Sequence, residues 1–127
     1  MADEATTPVD LDTGDLAVLA ARAADDKQGE RTVILQVGDL LGITEMFVIS
    51  SASNVRLVRA VVQEVEHRLT IEAGRKPQRV EGLDDARWVL MDYGDWVVHV
   101  FLEEARAFYD LERLWADVPR LPWSPDA

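Results

Sequence analysis

Apolar positions along the chain change period several times, and each change marks an element. From residue 15 to 26, Leu16, Leu19, Ala20 and Ala23 recur at helical spacing, with Thr13 placed to cap the start and Gly29 to stop the chain afterwards. Two short β-branched runs follow, TVILQV at 32–37 and MFVISS at 46–51, joined by a connector with glycines at 38 and 42. The longest amphipathic stretch covers 54–73, with Ser53 as its cap. Val58, Val61, Val62, Val65 and Leu69 form the apolar stripe, and Arg56, Arg59, Gln63, Glu66 and Glu72 the wet side. Gly74 suits a left-handed helix end, and Pro77 forbids continuation. A short strand at 78–80 closes a strand–helix–strand unit, the composition of a parallel crossover.

Period-two alternation returns at 87–92 and 95–102. Only Tyr93-Gly94 separates the two runs, which reads as a two-residue hairpin turn pairing 92 with 95, 90 with 97 and 88 with 99. Trp88, Leu90, Val97, His99 and Phe101 then share one face, and Val89, Met91, Trp96, Val98 and Val100 the other. Both faces are apolar, so one covers the core and the other needs a helix or a partner. Glu103 and Glu104 suit the positive start of a helix reaching about residue 115. Its Phe108, Leu111 and Trp115 fall on one face, and Phe108 and Leu111 are expected to dock on the sheet. Trp115 and Trp123 suit a core or an interface equally. The pattern therefore predicts one α/β domain over 12–118, preceded by a loose acidic tail (1–11) and followed by an irregular Pro-rich segment (119–127).

Composition narrows the classes. A chain of 127 residues builds one core. It contains no Cys, which excludes disulfides and thiolate metal sites, and no apolar run long enough to span a bilayer. The N-terminus lacks a secretion pattern, so a soluble cytoplasmic protein without membrane attachment is expected. The net charge of −11 is uneven: about −6 over 1–30, +2 over 31–80 and −7 over 81–127. Such a chain repels a phosphate backbone, so direct DNA binding is not expected, whereas a basic protein partner is suited. Solubility alone explains the acid excess equally well.

Chemistry concentrates between Trp88 and Trp115, which holds three of the four Trp and both Tyr. Asp92 and Asp95 admit a metal or acid–base reading, but also that of two solvated charges at a hairpin tip. His99 admits a general-base reading, although a packed strand histidine is the commoner role. His67 reads as a surface residue of the long helix. The SSASN run at 50–54 lacks the glycines of a nucleophile elbow and suits helix capping. No glycine-rich phosphate cradle occurs, and two His without Cys make zinc improbable, so no cofactor is predicted.

DYGDWVVHVF at 92–101, followed by RAFYDLERLW at 106–115, resembles the ribosomal silencing factor, or iojap, family. The matching positions are Asp92, Gly94, Asp95, Val98, His99 and Val100, then Arg106, Tyr109, Leu111, Glu112, Leu114 and Trp115. ADDKQGERTVILQV at 24–37, FVISSAS at 47–53, VEGL at 80–83 and Trp88 follow the family's order, so the likeness spans roughly 12–118. The chain departs from it at Gln36, at Glu45-Met46 and at Val55. The resemblance implies a mixed, roughly five-stranded sheet flanked by helices, similar to nucleotidyltransferases but without their glycine-serine opening and acidic metal motif. It implies a non-enzymatic protein that binds protein L-fourteen of the large ribosomal subunit. Occupying that site would block the small subunit and repress translation under nutrient limitation. It also implies a homodimer in the free state. Trp88, Met91, Asp92, Tyr93 and Asp95 are the expected contact residues. Two alternatives stay open at this point: a metal-dependent nucleotidyl- or phosphoryl-transfer enzyme using Asp92, Asp95 and His99, and a plain dimerisation module.

Overall fold

The computed structural model describes residues 11–38 and 42–124. The acidic tail through residue 10, the middle of the 38–44 connector and the last three residues lie outside the described residues. In order, the elements are α1 (Thr13–Asp26), β1 (Glu30–Gln36), β2 (Met46–Ala52), α2 (Val55–Ala73), β3 (Arg79–Glu81), β4 (Trp88–Asp92), β5 (Trp96–Leu102), α3 (Glu103–Tyr109) and α4 (Leu111–Leu114). One mixed sheet carries the fold, in the order β1-β2-β5-β4-β3.

Local chemistry sets the ends of the helices. Asp12, rather than Thr13, caps α1: its carboxylate accepts from the Asp15 backbone N–H at 2.8 Å, and the Asp15 carboxylate reaches back to the Asp12 N–H. Asn54, rather than Ser53, caps α2, accepting from the Leu57 N–H at 2.9 Å. Gly74 ends α2 in the left-handed conformation, with φ of +64°.

The crossover runs farther than adjacency would suggest. β2 pairs in parallel with β5, while β4 is antiparallel to both β5 and β3. β3 therefore runs in the same direction as β2 but lies beyond both β5 and β4, and α2 spans that distance. Helices α1 and α2 pack together on one face of the sheet. Ala17, Ala20, Ala21 and Ala24 of α1 are fully buried with Val58, Val61, Val65 and Leu69 of α2, over Val48, Val89, Met91, Trp96, Val98 and Val100. A helix face of alanines lets its backbone come close to its neighbours, which is how α1 packs tightly against α2 and the sheet.

The opposite face is covered by shorter pieces. Leu35, Val37, Phe47, Ile49, Val97 and Phe101 meet Ala105 of α3 and Val118 beyond α4, with Leu111 and Trp115 packed alongside. The chain then returns along β1, an edge strand. The Gln36 N–H donates to the Pro119 carbonyl at 2.8 Å, and the Leu121 N–H to the Ile34 carbonyl at 3.0 Å. The Trp123 indole reaches the Thr32 carbonyl at 2.8 Å. The described part of the Pro-rich segment is thus an edge cover that pairs with β1, which keeps that strand from presenting open hydrogen-bonding groups.

Candidate functional site

The hairpin of β4 and β5 places the residues that sequence reasoning singled out. Its register differs from the expected one: Asp92 faces Val97, Leu90 faces His99 and Trp88 faces Phe101. The Tyr93 N–H donates to the Trp96 carbonyl at 3.0 Å, so the turn is centred on Gly94-Asp95 rather than Tyr93-Gly94. Gly94 has φ of +91°, the left-handed geometry wanted at the first central position of a tight hairpin turn. The Asp92 carboxylate holds the turn by accepting from the Gly94 N–H at 2.8 Å. Because the pairing shifts by two residues, every side chain keeps its predicted face.

That shift decides which residues reach the surface. Tyr93 is no longer a tip residue but the first cross-strand pair, directed to the helix-covered face. There it stacks on Trp96, with ring centroids 4.6 Å apart and planes within 5°. Tyr93 is 5% exposed, and Met91 on the same face is 0% exposed. Neither side chain is offered to a partner, which corrects the expected contact set. Burial also pushes the Tyr93 phenol well above its ordinary pKa, so it stays protonated. Asp92 is half-buried and lies 3.7 Å from the Arg79 guanidinium, while Asp95 is exposed.

On the other face, six aromatic rings and His99 form a continuous chain. Trp115 meets Phe47 edge-on at 5.6 Å, and Phe47 meets His99 at 4.7 Å. His99 lies beside Phe101, Phe101 stacks on Trp88 at 5.0 Å, and Trp88 meets Tyr109 at 4.9 Å. Tyr109 in turn meets Phe108 at 5.1 Å. Trp88 and Leu90 are half-buried; with Glu81 and Gly82 they line a shallow recess of about 330 Å³.

His99 is tied into this face by one specific bond. The Trp88 indole N–H donates to His99 Nδ1 at 3.1 Å, which puts the imidazole proton on Nε2. Nε2 is buried and meets no hydrogen-bond partner among the described residues. Desolvation lowers the His99 pKa to about 4, so the ring is neutral at physiological pH. It works as an acceptor that orients Trp88. Among the described residues, no three His, Cys, Asp or Glu side chains gather into a metal-binding group.

Two features were not anticipated. Phe108, expected to dock with Leu111, is 77% exposed instead. The helix breaks at Asp110, which is left-handed at φ 49° and ψ 49°, so residues before and after the break no longer share one helical face. Aspartate tolerates that conformation, which is a weak signal to read in advance. The second feature is Arg106, which is 2% exposed. Its guanidinium donates to both Glu112 carboxylate oxygens at 3.0 and 2.9 Å, to the Glu30 and Arg31 carbonyls at 2.9 and 2.7 Å, and to Ser51 Oγ at 3.0 Å. This fork fastens α3 and α4 to β1 and β2, and its hydrogen bonds hold the Glu112 carboxyl below its ordinary pKa. An Arg on a helix flank carries no sequence mark of such a role.

Comparison with known proteins gives the fold and the site a family. The family model described as "Ribosomal silencing factor during starvation" matches residues 10–126. The ribosomal silencing factor RsfS of Halalkalibacterium halodurans is 41% identical over 105 residues, covering 83% of this chain and 89% of the relative. That of Bacillus subtilis is 39% identical over 101 residues, covering 80% and 85%. A crystal structure of a Chromobacterium violaceum protein superposes with a TM-score of 0.79 at 32% identity, covering 84% of this chain and 88% of the other. A family model over nearly the whole chain, relatives near 40% identity and a matching solved structure lead to one conclusion: the chain belongs to the ribosomal silencing factor family.

Proposed function

We propose that this protein silences ribosomes by binding protein L-fourteen of the large subunit and sterically blocking association of the small subunit, repressing translation when nutrients are limiting. One observation carries the reading: a partly open aromatic sheet face, with Trp88 at its margin, ends at the acidic hairpin tip of Asp92 and Asp95. A half-buried Trp at one end of β4 and carboxylates at the other end suit an extended basic protein surface, the ring filling an apolar pocket and the acids pairing with Lys or Arg farther along. The net charge of −11 keeps the protein off bare nucleic acid. Trp88, Asp92 and Asp95 are the contact residues in this reading, and the reaction is binding alone, in the cytoplasm and without a cofactor. A homodimer of the free protein belongs to the same reading, and sedimentation velocity of the protein alone tests it.

Co-sedimentation with purified subunits tests the central claim. The protein should travel with the large subunit and not the small one, and should inhibit subunit joining in proportion to occupancy. A Trp88→Ala, Asp92→Ala double variant should lose affinity at least about tenfold while staying folded. Unchanged affinity of that folded variant would remove this patch from the interface.

A further inference from the structure

The aromatic chain across the sheet does not stop at Trp88. It continues through Tyr109 to Phe108, its most exposed member, on the outer side of α3. We propose that Phe108 and Tyr109 form a second anchor for a basic protein surface, extending the docking face from β4 onto α3. The inference rests on the ribosome-binding reading above and adds residues to it that the hairpin alone would not supply.

Three observations support this assignment. A Phe left 77% exposed, in edge-on contact with a half-exposed Tyr, is an apolar surface that water solvates poorly. The patch is also held rigidly. Arg106, on the same helix, fastens α3 and α4 to β1 and β2 through five hydrogen bonds, so little ordering of the helix remains to oppose binding. The two helices that carry the patch are themselves acidic, with the exposed Arg31 and Arg120 near Glu112 beyond them. Glu104 lies four residues before Phe108 on the same helix, and Glu103 and Asp110 are exposed, against Arg113 as the exposed base of α3 and α4. Arg106 and Glu112 neutralise each other. A second copy of this chain would set acid against acid, and a phosphate backbone would be repelled. A protein with an apolar pocket rimmed by Lys or Arg meets both features.

The experiment uses the full chain and purified large subunits. A Phe108→Ser variant should keep its thermal melt, because the side chain is exposed, while binding at least about tenfold more weakly. Phe108→Tyr should retain most of the affinity. Glu104→Lys should weaken binding and flatten its dependence on salt. If Phe108→Ser binds within about twofold of the wild type, the patch is not an anchor and the inference falls, while ribosome binding stands. A changed sedimentation coefficient of free Phe108→Ser with unaltered subunit binding would assign the patch to self-association and also overturn it. A wild-type chain that fails to bind large subunits would overturn both readings, and that result needs no variant.

Discussion

The two faces of the sheet handle the same burial requirement in opposite ways. On the helix side, α1 and α2 seal the strands completely: Val89, Met91, Trp96, Val98 and Val100 are excluded from solvent, and even Tyr93 is drawn under the helices. On the other side, two short helices and Val118 just beyond them cover the middle of the face and leave its margin open. Trp88 and Leu90 are half-buried there, and Phe108 stands outside. The sealed face is mainly aliphatic residues and alanines around the Tyr93–Trp96 stack, whereas the open one runs a chain of rings through its aliphatic residues. Aliphatic packing gains stability by complete burial, whereas a ring at a margin keeps contact area for a partner at low entropic cost. The sealed face accounts for the fold, and the open one is where binding is proposed.

Substitutions on the sealed side should have the largest effects. Trp96→Ala removes a fully buried ring and the surface on which Tyr93 stacks, and should cost about 4 kcal/mol in denaturant unfolding. Any loss of binding should then follow the unfolded fraction. Arg106→Met should cost about 3 kcal/mol, because Glu112 and the Glu30 and Arg31 carbonyls lose their donor. It should also loosen α3, which hydrogen exchange in 103–114 would report. A smaller loss than Arg68→Ala produces would show that the fork is not what holds the helix.

pH separates the two faces next. His99 has its pKa lowered to about 4 in the folded state, below the unfolded value of about 6.5. The unfolded chain therefore takes up a proton first as the pH falls. Stability from this group is fully present above about pH 6.5, declines between about 6.5 and 4, and is gone below that, amounting to about 3 kcal/mol. Glu112, held below its ordinary carboxyl pKa by Arg106, loses its contribution only at more acid pH. Chemical unfolding across this range should show the first decline in the wild type and not in His99→Gln. A decline that persisted unchanged in His99→Gln would place its origin elsewhere. The smallest effect belongs to the surface: Arg68 bridges Asp26 and Glu64 at 2.7 Å, yet Arg68→Ala should cost about 0.5 kcal/mol, because such pairs are solvent-screened. A loss above about 2 kcal/mol would mean that this pair holds α1 to α2 more firmly than a surface ion pair can.

Much of the scaffold was legible in the order of the residues. The valine stripe from Val58 to Leu69, Gly74 at the end of α2 and the alternation in β4 and β5 each mark an element without reference to anything distant. The candidate site was legible only in part. Trp88 and Asp92 were placed on one face correctly, because alternation sets the side of each residue whatever the register. Tyr93 was taken for a tip residue because the turn begins one residue later than its composition suggests, while Met91 is buried because helices cover the face that alternation gives it. Phe108 was assigned to the core because helical periodicity assumes an unbroken helix, and the break at Asp110 was not assumed.

By itself, then, the sequence determined the elements, their amphipathic sides and the acidic character of the chain, all properties of residues close together along it. The tertiary structure decided the hairpin register, the position of β3 beyond β5 and β4, the Arg106 fork and the pairing of the C-terminal segment with β1. Apart from the hairpin register, those depend on groups tens of residues apart, up to 91 between Trp123 and Thr32, whose pairing is selected by packing and hydrogen-bond satisfaction rather than by local preference. That is also why the open face could be expected from Trp88 to Trp115 while its most exposed ring, Phe108, became visible only once the chain was folded.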